Sequence, residues 1–401
     1  MIKRVATDQL KPGMYIHDLN CGWLSHPFVL NQFKIGLQEE IEKIAGFGIK
    51  EVYIDTELGI DVPGAQTQAE VSQELHRKML DVAEQAEKPI SHTSLDEEMV
   101  YAKQVLSEAN TVIHSIMSEV RFGKQVELEK VDPVVEKMTL SVLRNPGALT
   151  SLGMVKQKDT YTFQHSVSVG VLLINFCQYL HLGKDIIHQA ALGGLLHDIG
   201  KMKIPNVILN KPAKLSDKEF ALMQQHVVFG VDILQQTKGV SPISLEIAAQ
   251  HHERADGSGY PNKLKSSAIS QLGQMAAIVD VYDAITSARV YHSPMDPTDA
   301  LRKLLEWSKF HFNEELVQHF IRCIGIYPVG TLVRLESGLL GVVIEEGKQH
   351  LLHPIVRVVY DTLRNCALDP RDIDLSRSSA GDTIVCHESA EKWKINVREY
   401  F

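Results

Sequence analysis

The segment Leu195–Pro205, LLHDIGKMKIP, sets His197 and Asp198 side by side at the end of an otherwise apolar run. The residues before it, DIIHQAALGGLL from Asp185, carry apolar positions at helical spacing. A polar pair in such a setting is costly to bury without partners. Two readings compete: the pair caps a helix before Gly200, or it meets a cation that satisfies both groups at once. Imidazole with carboxylate suits Zn, Fe, Mn or Ni rather than a metal that prefers thiolate.

The rest of the chain decides between them. Of 18 histidines, seven fall between His165 and His252. His165 lies in TFQHSVSVGVLL, His226 in LMQQHVVFGVDIL, and His251 and His252 follow LEIAAQ. Asp280 lies in MAAIVDVYDAI, where a lone carboxylate would be expensive. Five segments thus each bring one or two N/O ligands to a polar spot in an apolar stretch. That supply exceeds the three or four protein ligands of one catalytic zinc. A bridged pair of metals, each with an open position, uses it better. His188, nine residues before His197, falls on the opposite helix face and reads as a surface residue. The remaining histidines, His292 and His387 among them, read as structural or solvated.

The ligands sit in a helical region. The stretch from Val134 to Gly325 is read as an α-helical domain, with SDKE at Ser216 forming a capping box. Residues 1–65 read as a small α/β domain, with a strand at Glu51–Asp55. Residues 66–133 read as a helical connector with a looser patch near PISHTS. Residues 326–401, with TLVRLESGLLGVVIEEG and HPIVRVVYD, read as a β-rich extension. The fold class expected is mainly α.

Composition narrows the function. The chain has 401 residues, 44% hydrophobic and 23% charged, as expected of a soluble globular protein. A net charge of −9 argues against sequence-independent binding to a DNA or RNA polymer. No apolar run reaches about 18 residues, so no membrane span is expected. The polar start, MIKRVATDQL, does not read as a signal peptide. Five scattered cysteines, none in a C-x-x-C pair, indicate a reducing cytoplasm.

With these residues assembled, the chain resembles the HD-GYP family of metal-dependent phosphohydrolases. The matching run is YTFQHS, LLHDIGKMKIP, ILNKPAKLSDKE, QQHVVFG, HHERADGSGYP and VDVYDAITSARVY, in order. The first sixty residues, with LKPGMYI and GWLSHPF, resemble an accessory domain of unknown function found before HD-GYP domains. The resemblance implies an all-helical HD-type metallohydrolase domain holding two divalent transition metals: Fe or Mn first, Ni or Zn as alternatives. His165, His197 and Asp280 would hold one, His226, His251 and His252 the other, with Asp198 bridging.

It implies hydrolysis of cyclic di-GMP to the linear dinucleotide pGpG, and in some members on to GMP, in bacterial second-messenger signalling. A metal-bridging hydroxide would be the nucleophile. Lys201, three residues after Asp198, would contact phosphate or stabilise the leaving group if the helix continues through Gly200. Arg289, in SARVY, matches a phosphate-binding position, though His292 stands where the family often has Lys or Arg. Tyr161 stands where some members have a glutamate for a third metal, so two metals are expected. Asp256, Gly257 and Gly259 read as turn formers, while Tyr260 is a candidate for substrate contact. The amphipathic helices allow a homodimer, and the resemblance allows a GGDEF-domain partner. Two alternatives stand beside this reading: a hydrolase of 3′,3′-cyclic GMP-AMP, and a non-catalytic cyclic dinucleotide sensor.

Overall fold

The structure, a computed structural model, describes residues 1–21, 32–85, 93–153, 161–287, 294–345, 347, 351–377 and 381–400. The chain opens with β1 (Ile2–Ala6), β2 (Tyr15–Asp18), β3 (Phe33–Lys34), α1 (Gln38–Gly46) and β4 (Glu51–Asp55). The strands form an antiparallel sheet of order β1-β4-β2-β3. Because side chains alternate along a strand, β4 serves both faces. Val52 and Ile54 join Val5, Ile16 and Ile44 in this unit's own core. Tyr53 points the other way and is also buried.

A run of helices follows: α2 (Gln68–Glu84), α3 (Leu95–Arg121), α4 (Leu128–Arg144), α5 (Pro146–Gly153), α6 (Tyr161–Tyr179), α7 (Lys184–Leu196), α8 (Asn206–Leu209), α9 (Asp217–Gln224), α10 (His226–Gln235), α11 (Pro242–Gln250), α12 (Gln271–Thr286), α13 (Pro297–Trp307) and α14 (Glu314–Ile324). Their starts follow the local chemistry. Ser94 with Glu97 and Ser216 with Glu219 make reciprocal capping boxes, satisfying N–H groups that would otherwise be orphaned. Ser241 caps α11 ahead of Pro242, and Asp296 caps α13 ahead of Pro297. The helices share one apolar core. Val105, Ile113 and Met117 of α3 lie in the same cluster as Leu173 of α6, Leu195 of α7, Ile278 of α12 and Phe320 of α14.

A second sheet ends the chain: β5 (Leu332–Leu335), β6 (Leu339–Glu345), β7 (Ile355–Asp361), β8 (Cys366–Asp374) and β9 (Ile384–His387), followed by α15 (Ala390–Trp393). Its order is β8-β7-β6-β5-β9, antiparallel throughout. Val333, Val343 and Val356 extend the helical core into it. The architecture is the mainly helical one expected, with a small α/β unit before it and a β unit after it. No helix among the described residues is long and apolar enough to cross a membrane.

Candidate metal centre

The centre is built at helix ends. Helix α7 stops at Leu196, and a 3-10 segment, Ile199–Lys203, takes over. The cause is the crossing of α10. A Cβ on Gly200 would lie 1.9 Å from the carbonyl oxygen of His226 and 2.4 Å from the nitrogen of Gly230, so only glycine fits. The condition set for Lys201, a helix continuing through Gly200, is not met; a tighter turn takes its place, in which Lys201 N donates to Asp198 O at 2.9 Å. In 3-10 geometry residues i and i+3 eclipse. This sets the Lys201 ammonium against Asp198 Oδ2.

Three of the histidines are aimed by one device. His197 Nδ1 lies 2.7 Å from Gly194 O, His226 Nδ1 2.6 Å from Met223 O, and His251 Nδ1 2.9 Å from Ala248 O. Each imidazole sits just past the last turn of α7, α9 or α11 and donates to a carbonyl three residues back, which the helix itself leaves free. With the proton held on Nδ1, the lone pair is on Nε2. All three Nε2 atoms are buried without a hydrogen-bond partner, as is Asp198 Oδ1. Orphaned buried polar atoms are rare in native structures. Four of them gather at this one place. The C-terminal ends of α7, α9 and α11 lie there too, partly offset by the N-terminus of α10 at His226.

Asp198 stands at the middle. Its Oδ2 lies 3.3 Å from His197 Nε2 and 3.7 Å from His165 Nε2, while its Oδ1 lies 3.3 Å from His226 Nε2 and 3.9 Å from His251 Nε2. Asp280 closes the first side, with Oδ1 at 2.9 Å from His165 Nε2 and 3.8 Å from His197 Nε2. His252 closes the second. One ligand atom each from His165, His197 and Asp280, and one each from Asp198, His226, His251 and His252, fall within 4.8 Å of one another in their group. All seven residues are buried.

A divalent cation needs ionised carboxylates and neutral imidazoles. The two carboxylates and the paired histidines lean that way, whereas burial lowers His197 but Asp198 and Asp280 outweigh it and raise that imidazole. Burial pushes the Asp198 carboxyl up, but Lys201 and His197 outweigh it and hold the group well below its usual range. Asp280 is held down likewise against burial, through its bond to His165 and the nearby His252. Burial, then His197, lowers His251 to about 3. Burial and His251 press His252 well below an ordinary imidazole.

Several partners are not named by the sequence motif. Asp283, one turn after Asp280 on α12, places Oδ2 2.6 Å from His165 Nδ1 and so orients that ring. A second carboxylate in the apolar run VDVYDAI is the signal for it. Glu253 is buried and accepts backbone N–H bonds from Asn262 at 2.7 Å and Leu264 at 2.9 Å, closing the loop after the paired histidines. Tyr260, in that loop, stacks on His252 with ring centroids 4.6 Å apart and planes at 28°. His188 lies away from the centre, its Nε2 3.1 Å from Asp132 Oδ1 of α4. His387 pairs with Asp299 at 3.2 Å. Arg289 and His292 lie outside the described residues, as does the side chain of Tyr161.

Two family models and several known proteins match the chain. Residues 2–131 match the family described as Domain of unknown function (DUF3391), and residues 152–316 match the HD domain. A cyclic di-GMP phosphodiesterase of Pseudomonas aeruginosa is 39% identical over 98% of this chain and 94% of its own length. A 3′3′-cGAMP-specific phosphodiesterase of Vibrio cholerae is 44% identical over 31% of this chain and 24% of its own. A solved HDG"Y"P protein from Bdellovibrio bacteriovorus aligns over 80% of this chain and 98% of its own, at a TM-score of 0.48 and 16% identity. HD-domain metallohydrolases bind divalent metal, and the orphaned nitrogens and the shared carboxylate fit that group. With near-full-length likeness to one relative and the HD domain at the metal-competent cluster, the chain belongs to the HD-GYP family of metal-dependent phosphohydrolases.

Proposed function

We propose that this chain is a phosphodiesterase that hydrolyses cyclic di-GMP to pGpG in the cytoplasm, using two divalent transition metals, Fe or Mn before Ni or Zn. One observation carries the reading. The two oxygens of Asp198 face different imidazole pairs, Oδ2 toward His197 and His165 and Oδ1 toward His226 and His251. A carboxylate shared in this way suits two cations. His165, His197 and Asp280 would hold one, and His226, His251 and His252 the other. When bound, such a pair makes water acidic enough to ionise at neutral pH and offsets the charge of a phosphodiester.

The chain's own residues do the rest. Asp283 and the three helix-end carbonyls fix the imidazoles. Lys201, with a side chain 17% exposed, reaches out from the buried carboxylate and would meet a phosphate oxygen or the leaving 3′ oxygen. Arg289 would add a planar fork for a phosphate, and Tyr260 a flat face beside the substrate. With tyrosine at 161, two metals and a stop at pGpG are expected. Residues 1–65, 66–133, 134–325 and 326–401 are taken as the working units, with a homodimer or a GGDEF-domain protein as regulatory partner.

The test is purified protein loaded with Mn or Fe(II), incubated with cyclic di-GMP or 3′,3′-cyclic GMP-AMP and resolved by chromatography. The reading expects pGpG from cyclic di-GMP. Preferential cleavage of the mixed dinucleotide would move the chain toward the Vibrio relatives of that name. Binding without cleavage would make it a sensor. Fast GMP release would overturn the stop at pGpG.

A further inference from the structure

The N-terminal unit touches the loop that carries Tyr260. At the α1–β4 corner Gly48 has φ +76°, and a Cβ there would lie 2.2 Å from Ser258 Cβ and 2.8 Å from its Oγ. The corner is held firmly against the helices. Glu306 of α13, which is 3% exposed, accepts from Tyr53 Oη at 2.6 Å and from Asn20 Nδ2 at 3.1 Å. Lys43 of α1 pairs with Asp217 of α9 at 2.9 Å.

On the other side of the contact there is no slack. Asp256 Oδ1 accepts from Ser258 N at 3.0 Å and from its Oγ at 2.6 Å. The next residue, Gly259, is seated against the histidine pair. A Cβ there would lie 2.5 Å from His252 O, 2.5 Å from Glu253 Cα and 2.4 Å from Arg254 N. Tyr260 N then donates to His252 O at 3.2 Å, and its ring covers the His252 imidazole. Gly48, Ser258, Gly259 and His252 thus form a continuous line of contacts from the N-terminal sheet to a candidate ligand.

We propose that Gly48 is a positioning residue for the metal centre, and that the N-terminal unit acts on the reaction by setting the Ser258–Tyr260 loop against His252. A packed line of this kind transmits a shift rather than absorbing it. The proposal rests on the phosphodiesterase reading for its catalytic readout, and on the loop alone for its second.

The experiment uses the full chain and three variants: Gly48→Ala, Ser258→Gly and the double variant. Ser258→Gly removes the Cβ and Oγ that the new methyl would meet, leaving Ser258 Cα at 3.6 Å, an ordinary contact. The backbone cost of alanine at positive φ is the same in the single and double variants. Gly48→Ala is expected to lower kcat on cyclic di-GMP on the order of tenfold, since small misplacements near a reacting centre act mainly on rate, with little change in KM. It should also speed hydrogen exchange at the Asn262 and Leu264 amides bonded to Glu253, measured on metal-free protein. Ser258→Gly alone loses the Oγ bond to Asp256 and sets the baseline, and the double variant should return both readouts to that baseline rather than show the added loss of Gly48→Ala. Wild-type behaviour of Gly48→Ala in both readouts overturns the proposal. So does a loss that Ser258→Gly does not rescue, which would be backbone strain alone. If the wild type cleaves no cyclic dinucleotide, the phosphodiesterase reading fails, while the exchange data still decide the contact.

Discussion

Gly200 and Gly230 meet where α10 crosses the 3-10 segment, and alanine should be damaging at the first and tolerated at the second. A Cβ on Gly200 would sit 1.9 Å from His226 O, 2.4 Å from Gly230 N and 2.9 Å from Gly230 Cα, all backbone atoms that no rotamer change can move. Restoring a contact of about 3.3 Å needs α10 to retreat by roughly 1.4 Å, far beyond the ~0.2 Å tolerance of a metal–ligand bond. His226 begins α10, so it leaves with the helix. Overpacking of this kind costs about 1–3 kcal/mol or more. A Cβ on Gly230 would instead meet Gly200 N at 3.4 Å, His197 O at 3.7 Å and Gly200 Cα at 3.8 Å, all ordinary contacts. Gly230→Ala should therefore stay within about 0.5 kcal/mol of wild type, with the better helix propensity of alanine helping. The assay is urea unfolding of the metal-free chain together with metal content after reconstitution. Gly200→Ala is expected to unfold earlier and lose metal held through His226. Equal stability and metal content for Gly200→Ala, or equal damage from Gly230→Ala, would refute the reasoning.

Three further outcomes are expected. Asp283→Ala removes the carboxylate 2.6 Å from His165 Nδ1 and should weaken metal binding about 10–100-fold in a titration. Asp283→Asn, whose amide oxygen still accepts, should lose less, and unchanged affinity in Asp283→Ala would remove its orienting role. Lys201→Ala should cut turnover strongly while metal content stays intact; unaltered turnover ends its assignment to phosphate or leaving group. The third concerns pH. Burial lifts the Asp296 carboxyl to about 6 from 3.8, with His387 opposing. Its folded pKa lies above the unfolded one, so the stability it contributes is present below about pH 4 and is lost as pH rises through 6. Two units correspond to about 3 kcal/mol, reduced to about 1–2 by partial exposure. The raised His387 loses stability in the same direction, and the lowered Asp299 opposes both. Asp296→Asn keeps the α13 cap and should be more stable than wild type at pH 8 but not at pH 4. Parallel pH profiles in urea unfolding would contradict this.

The seven candidate ligands stood out because each interrupts an apolar helical run with a polar group that cannot be buried alone. The structure brings all seven together. The turn at Gly200 was not readable, because its cause is α10, which is distant in sequence until the chain folds. For the same reason SDKEFALMQQHVVFGVDILQQ divides into α9 and α10 at Gln225, a break that periodicity does not mark. Asp283 and Glu253 carry ordinary carboxylates whose roles exist only through His165 and the loop backbone. In the second sheet, β5, β6 and β7 are rich in the apolar and β-branched residues of buried strands, continuously so in β6. β8, CALDPRDID, is polar and contains Pro370, as befits an edge strand whose outer side has no paired strand among the described residues. Its sequence gives little sign of a strand.

The bonds from His197, His226 and His251 to their own helix ends have a consequence for how the protein matures. Small zinc domains fold only around their ion, so ion and fold arrive together. Here the rings are locked by carbonyls and the surrounding helices by a core of their own. Three of the candidate ligands are therefore aimed by the fold itself, with no ion needed to orient them. On the proposed two-metal reading, loading would then be separable from folding, and the ion held would follow what is supplied after synthesis.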